Sequence, residues 1–273
     1  IYVAENGNMY ITAKAEDILE KAVNALCDRI ANYGKDKTLN LQGGYTFSGS
    51  YPTVKYIAFT FDDGPTANTV DGAPIKTFVD TLSSYGGAGT LFVIGGNIEK
   101  RGTKQLEYAL ENGFEIGNHT MNHTNFNYTN ADETTIRSEI TGVNNLLKEN
   151  LGYTARWLRP GELAVNKTVY KVAKELNMPI IGSVKNDAND YDDNSTSASI
   201  KENVINKASD GQIVLLHADK QKTADCFEEI ASTLYKKGYR FVTVSELLSI
   251  RGTGVIPTDI RISGIKDSVY QKN

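Results

Sequence analysis

Two adjacent carboxylates end an apolar run, Tyr56-Ile-Ala-Phe-Thr-Phe-Asp62-Asp63-Gly64-Pro65. Ionised neighbours repel, so such a pair calls for a cation or a shared proton. The blander reading is an Asp-Gly turn that stops a buried strand. Only three histidines occur, His119, His123 and His217, and each sits where another strand-like run ends. His119 and His123 follow Phe114-Glu-Ile-Gly-Asn118 with three residues between them. In a helix or a tight turn both imidazoles then face one way and can share a metal. His217 closes Gln212-Ile-Val-Leu-Leu216, a run typical of a strand covered on both faces. A lone histidine is more often a satisfied structural residue than a ligand, but all three at strand ends favour chemistry.

These residues need elements to position them. From Tyr56 onward strands and helices alternate. Helices are expected over 74–85, 104–112, 132–151, 167–176, 197–209 and 224–237, and strands over 56–61, 89–94, 114–118, 155–159, 178–183, 212–216 and 239–244. Such alternation predicts an α/β fold with a parallel sheet, closed into a barrel or left open. In a parallel barrel the carboxyl ends of the strands converge on one face, where active sites are built. Asp62, Asp63, His119, Arg159, Asp190 and His217 all fall at or just beyond such ends. Before the sheet, Asn6-Gly7 between Tyr2-Val-Ala and Met9-Tyr-Ile signals a hairpin. An amphipathic helix over 15–33, closed by Gly34, and an irregular connector over 36–53 follow. Three regions are therefore expected: 1–53 packing on the sheet, the alternating strand-and-helix region over 54–251, and 252–273. The last region is a linker or, as Ile260 and Ile262 suggest, a strand pairing with the amino-terminal hairpin.

At 273 residues the chain is long enough for a substantial core, and its 40% hydrophobic and 23% charged content is ordinary for a globular protein. A net charge of −4 gives no electrostatic case for binding nucleic acid or an anionic membrane. No apolar stretch reaches the length of a membrane helix, so no membrane span is expected. Cys27 and Cys226 are too few for a disulfide framework or a thiolate metal site, though one bridge between them stays open. The chain opens at Ile1 rather than a methionine, the pattern of a mature or trimmed fragment, so the lack of a signal peptide says nothing about secretion.

Five short motifs then stand in order: Thr60-Phe-Asp-Asp-Gly64, His119-Thr-Met-Asn-His123, Arg159-Pro160, Asp187-Ala-Asn-Asp-Tyr191 and Leu215-Leu-His217. Through them the chain, from Val54 to about Arg251, resembles the polysaccharide deacetylases of carbohydrate esterase family four, the NodB-homology group. The resemblance implies a distorted (β/α) barrel of about seven parallel strands. It also implies that Asp63, His119 and His123 hold one divalent metal ion, zinc first, with cobalt or nickel accepted by the same ligands. Asp62 would be the general base and Arg159 the cation that pairs with it. His217 would be the general acid, oriented by Asp190. The oxyanion would rest on the metal and a backbone N–H near Glu162, and Tyr191 would form an aromatic wall. Leu215 would line the pocket for the acetyl methyl, or serve as an ordinary core residue.

Two departures stand out. Gly161-Glu162-Leu163 follows the arginine motif where many relatives carry a second proline and an aromatic, and Tyr191 replaces a common tryptophan. Neither removes a proton donor, a proton acceptor or a metal ligand. The expected partner is an acetylated polysaccharide, and the expected reaction is hydrolysis of O-acetyl esters of xylan. N-deacetylation of N-acetylglucosamine polymers is the alternative, and an inactive carbohydrate-binding module on the same barrel is the alternative of another class. The resemblance further implies an extracellular or cell-surface location, and a monomer or one module of a larger enzyme.

Overall fold

Tyr2–Val3 (β1) and Met9–Tyr10 (β2) lie antiparallel with Tyr2 opposite Tyr10, on either side of the Asn6-Gly7 turn signal. Leu39–Leu41 (β3) and Tyr45–Phe47 (β4) form a second antiparallel pair, with Leu39 opposite Phe47. The second pair falls in the stretch expected to be an irregular connector. Its alternating apolar residues are two short runs either side of Gly43-Gly44, a hairpin pattern too short to stand out among polar neighbours. The computed structural model describes residues 2–3, 9–10, 39–41, 45–47, 54–182, 188–251, 261–266 and 269–272. It divides into two units, Ile1–Lys55 and Tyr56–Asn273. The helix expected over 15–33, with Cys27 and Gly34, lies outside the described residues, as do Asp187 and 252–260.

The central strand of the sheet is Lys55–Gly64 (β5), which lies in the larger unit from Tyr56 onward and whose residues from Tyr56 to Asp62 are all buried. Burial on both faces explains why it reads as a near-continuous apolar run rather than an alternation. Pro74–Ser84 (α1) follows, with Ile75, Phe78, Val79 and Leu82 on its buried face. Next come Thr90–Val93 (β6), Gly95–Arg101 (α2), Lys104–Glu111 (α3) and Glu115–Asn118 (β7). Asp132 caps the long helix Glu133–Leu151 (α4), its side chain accepting from Thr135 N. Lys167–Glu175 (α5), Ile180–Ile181 (β8), Ser197–Lys207 (α6), Gln212–His217 (β9), Gln221–Lys236 (α7), Tyr239–Phe241 (β10) and Val244–Arg251 (α8) complete the alternation. Arg261–Lys266 (β11) and Val269–Lys272 (β12) end it. No helix among the described residues is long and apolar enough to cross a membrane.

β5 pairs in parallel with β6 on one side and β9 on the other, and β6 pairs in parallel with β7. Beyond β7 the ladder thins to single-residue bridges, from Asn118 to Leu158 and from Leu158 to Ile180. The strand expected over 155–159 is therefore one bridging residue, Leu158. The result is an α/β fold around a parallel-strand sheet whose ladder is thinnest at Leu158. Past β8 comes β11, parallel to β8 and antiparallel to β9. β11 thus pairs with β8, β9 and β12, so the last region contributes strands to the sheet. Helices α2 and α8 were not legible either. Gly95-Gly96 opens α2 against helix propensity, yet a Cβ at Gly95 would stand 2.1 Å from Met121 Sδ, so close packing demands the glycine.

The core beneath the sheet is aromatic. Phe61 stacks on Phe78 at 4.4 Å, and Phe227 meets Phe59 and Phe78 edge-on at 5.1 Å each. At the amino-terminal end of the strands Glu115 accepts hydrogen bonds from Trp157 Nε1, Thr90 Oγ1 and Ser245 N, tying β6, β7 and α8 together. Gly117 on β7 is fixed by contact: a Cβ there would lie 2.5 Å from the Phe92 ring. Gly117→Ala is expected to destabilise the protein by about 1–3 kcal/mol in urea unfolding, since the ring has to move. An unchanged unfolding midpoint would refute the tight β6–β7 contact.

Candidate active site at the strand ends

Asp62 and Asp63 are neighbours on a strand, where consecutive side chains normally point to opposite faces. A bulge removes that conflict. β5 keeps register with β6 as far as Phe61 opposite Leu91 and then shifts, so that Gly64 stands opposite Val93. Asp63 takes the left-handed conformation, with φ 71°. Both carboxylates consequently reach one imidazole: Asp62 Oδ2 lies 3.6 Å and Asp63 Oδ1 3.4 Å from His119 Nε2.

His119 follows the last residue of β7, and a tight turn rather than a helix returns the chain to His123. Thr120 and His123 both have positive φ, at 67° and 54°. His119 Nδ1 sits 2.5 Å from the carbonyl of Arg159. A carbonyl only accepts, so Nδ1 carries the proton and Nε2 turns its lone pair towards Asp63. His123 Nε2 lies 3.6 Å from the same Asp63 oxygen, and the two rings are 4.8 Å apart. One ligand atom from each of Asp63, His119 and His123 falls within 4.8 Å of the others. Asp63 Oδ1 is buried without a hydrogen-bond partner. Lone pairs of a carboxylate and an imidazole that face each other across a buried gap fit a shared cation. Burial by itself would raise the Asp63 carboxyl, but His119, His217 and His123 outweigh it and hold it at about 2. Burial, reinforced by His119, lowers His123 below the usual imidazole value. Gly161 permits the close approach behind this turn, because a Cβ there would stand 2.7 Å from His123 C and O.

Arg159 has no exposed surface. Its Nη1 donates to Asp62 Oδ1 at 2.6 Å and to Thr60 Oγ1 at 2.8 Å, Nη2 donates to Gly182 O at 2.9 Å, and Nε to Ile181 O at 3.2 Å. The guanidinium also lies 4.1 Å from the Phe92 ring centroid. Taken from the sequence alone, Arg159 could also be an ordinary surface ion-pair partner. Complete burial removes that reading.

Across the site His217 is the residue paired with Asp62 in the β5–β9 register. Its Nδ1 lies 2.7 Å from Asp190 Oδ1, while Asp190 Oδ2 accepts from His217 N at 2.8 Å and from Thr223 Oγ1 at 2.9 Å. A carboxylate only accepts, so Nδ1 donates and Nε2 is the free nitrogen. Burial would lower the His217 pKa, but the hydrogen bond and charge of Asp190, helped by Asp62 and Asp63, raise it to about 9. Asp190 itself is buried, although its loop is one of the most polar in the chain.

The remaining residues occupy the rim. Glu162 has φ 52° in the Gly161–Leu163 turn, and its Oε2 accepts from Asn125 Nδ2 at 2.7 Å. Tyr191 is 60% exposed, its ring centroid 6.2 Å from that of His217. Leu215 is half-buried and shares the strand face of His217, two residues away. A cavity of about 560 Å³ adjoins Asp63 and His123, lined also by Thr66, Asn97, Arg101 and Gln221. Two contributors escaped the sequence reading. Thr60 had a usable signal, since it stands two residues before Asp62 on one strand face. Thr223 had none, because only the fold brings the start of α7 to Asp190.

With this geometry in view, comparison with known proteins gives one answer. A family model described as polysaccharide deacetylase matches residues 50–181. The chain is similar to a bifunctional xylanase/deacetylase of Pseudobutyrivibrio xylanivorans, 34% identical over 202 residues. That match takes in 72% of this chain and 31% of the relative, so the chain spans about a third of that protein's length. It is also similar to a peptidoglycan-N-acetylglucosamine deacetylase of Bacillus cereus, 35% identical over 198 residues, 71% of this chain and 88% of that protein. Among solved structures, a family 4 acetyl xylan esterase from Clostridium thermocellum in complex with a cobalt ion superposes with a TM-score of 0.64 at 29% identity. The superposition takes in 75% of this chain and 94% of that one. By sequence and by fold, the chain belongs to the polysaccharide deacetylases of carbohydrate esterase family four.

Proposed function

We propose that the protein hydrolyses O-acetyl esters of xylan, with Asp63, His119 and His123 holding one divalent cation, zinc before cobalt or nickel. The observation that carries this reading is the buried, unpartnered Asp63 Oδ1 facing two imidazole nitrogens. A cation bound there would polarise the acetyl carbonyl and make a water molecule more acidic. The protein's own groups do the rest. Asp62, held through Oδ1 by Arg159, takes the proton of the attacking water on Oδ2. A backbone N–H near Glu162 donates to the carbonyl oxygen as it becomes negative. As the bond from the acetyl carbon to the sugar oxygen breaks, His217 gives that oxygen its proton from Nε2, and Asp190 holds the ring in place. Leu215 lines the space for the acetyl methyl, and Tyr191 offers a face to the sugar ring. Acetate and a sugar hydroxyl are the products.

Xylan is favoured because the arginine motif followed by Glu162-Leu163 resembles that of acetylxylan esterases, and by the xylanase/deacetylase relative. An alkoxide also leaves more readily than an amine, so ester hydrolysis tolerates the altered wall at Gly161-Glu162-Leu163. N-deacetylation is the second reading, favoured by the relative that acts on peptidoglycan N-acetylglucosamine and matches over 88% of its own length. Both polymers lie outside the cell, which supports an extracellular or cell-surface site of action. A silent binding module would be free to lose any of Asp62, Asp63, His119, His123 and His217, yet all five are present.

Acetate release from acetylated xylan is expected to exceed release from a chitin oligomer, and the reverse order would replace the ester reading by the amide one. Asp62→Asn is expected to keep its metal, measured by elemental analysis, while turnover falls by about 10²–10⁴-fold. A near wild-type rate would remove Asp62 as the base. The pH profile has a determined sign. His217 must be protonated to donate, and its pKa is raised to about 9, so turnover falls as pH climbs through that value. The same shift stabilises the fold below pH 6.5, and that contribution is lost between 6.5 and about 9. Asp190→Asn removes the main raising partner and is expected to move the alkaline limb to lower pH. An unmoved limb would assign it to another group.

A further inference from the structure

The turn between His119 and His123 is held by a group that the reaction does not use. Glu139 lies on the buried face of α4 among Ile136, Ile140 and Val143, where the helical pattern calls for an apolar residue. It is 8% exposed, and a buried carboxylate is costly unless its oxygens are met. Both are met by one residue of the turn: Oε1 accepts from Asn122 Nδ2 at 2.6 Å and Oε2 from Asn122 N at 2.9 Å. The Glu139 carbonyl accepts from Met121 N at 3.1 Å. Asn118 completes the tie, its Nδ2 donating to Ile140 O at 2.8 Å and Asn144 Oδ1 at 2.9 Å, and its Oδ1 accepting from Thr120 N at 2.9 Å. A Cβ on Gly142 would stand 2.7 Å from Met121 Cγ, so the turn is pressed onto the helix as well as bonded to it.

This matters because the turn is not a relaxed one. Thr120 and His123 both hold left-handed backbone angles that a threonine and a histidine seldom adopt unaided. The angle at His123 directs its ring beside that of His119, so any relaxation of the turn separates the two nitrogens that share Asp63. We propose that Glu139 is the positioning residue of this turn: through Asn122 it fixes His119 and His123 at the spacing a divalent cation requires. Glu139 touches neither substrate nor reacting atoms. The proposal rests on the metal reading above, with a cation as the ligand concerned.

The test is a titration of the chelator-treated full chain with cobalt(II), followed by calorimetry and by the visible spectrum, beside thermal unfolding of each variant. Glu139→Gln, which leaves only one accepting oxygen for two donors, is expected to weaken cobalt binding about ten-fold or more and to change the spectrum. Asn122→Ala keeps the charge of Glu139 and is expected to weaken binding in the same direction, by a smaller factor. Leu147→Ala, a core deletion two turns along the same helix, is expected to lower the unfolding temperature while cobalt affinity stays within roughly two-fold of wild type. Wild-type cobalt affinity in Glu139→Gln overturns the clamp, and so does a loss in Leu147→Ala that matches the other two. Loss in Glu139→Gln without loss in Asn122→Ala is a charge effect and overturns it too. If Glu139→Gln does not fold, Asn122→Ala decides alone. A wild-type chain that binds no cobalt overturns the metal reading itself, which a defect confined to the variants does not.

Discussion

The buried contact between Arg159 and Asp62 is the constraint on which the site depends. A guanidinium with no exposed surface is tolerable only when its N–H groups are met, and removing one partner of such a pair typically costs about 3–5 kcal/mol. Here the partners are drawn from separate parts of the sheet: Thr60 and Asp62 from β5, and the carbonyls of Ile181 and Gly182 at the end of β8. The backbone of the same residue closes the circle, since the Arg159 carbonyl accepts the hydrogen bond that His119 Nδ1 donates. One residue therefore holds the proposed base by its side chain and fixes the tautomer of a proposed ligand by its main chain. Fold and site cannot be adjusted separately at this point.

Around that contact the titratable groups are pushed apart by their surroundings. Three imidazoles hold the Asp63 carboxyl at about 2 against the opposing effect of burial, while Asp190 lifts His217 to about 9. Groups so separated have distinct roles at neutral pH, one a permanent anion and the other a permanent proton carrier. The separation depends on rigid second partners. Asp190 is fixed by three donors, and the His119–His123 turn is tied to α4 by the side chains of Asn118, Asn122 and Glu139. Polar groups thus take places in the interior where apolar ones would pack more simply, and each is satisfied by a partner that orients a site residue.

Much of this was legible in the chain. β5, β6 and β9 announce themselves because strands covered on both faces carry near-continuous apolar runs, and α1, α4, α5 and α7 because one buried face imposes a 3.6-residue period. The chemistry-bearing residues were legible for a related reason. Adjacent aspartates, sparse histidines and a lone Arg-Pro have few structural uses at strand ends, so their types and positions single them out. What escaped notice had no local signature. Gly95-Gly96 begins a helix because Met121 leaves no room for a side chain, and Thr223 matters because Asp190 comes to it. Leu158 bridges two strands without forming one, and β11 enters the sheet from the far end of the chain.

By itself, then, the amino-acid order determined most of the strands and helices that carry the site and which residues carry charge, protons or lone pairs, since both follow from side-chain chemistry and short-range periodicity. Tertiary structure alone decided that Asp62 and Asp63 face the same way, that Arg159 is buried rather than exposed, and that Glu139 belongs to the histidine turn. Each of those outcomes is set by a bulge, a burial or a contact between distant segments, and such long-range relations leave no period in the sequence to read.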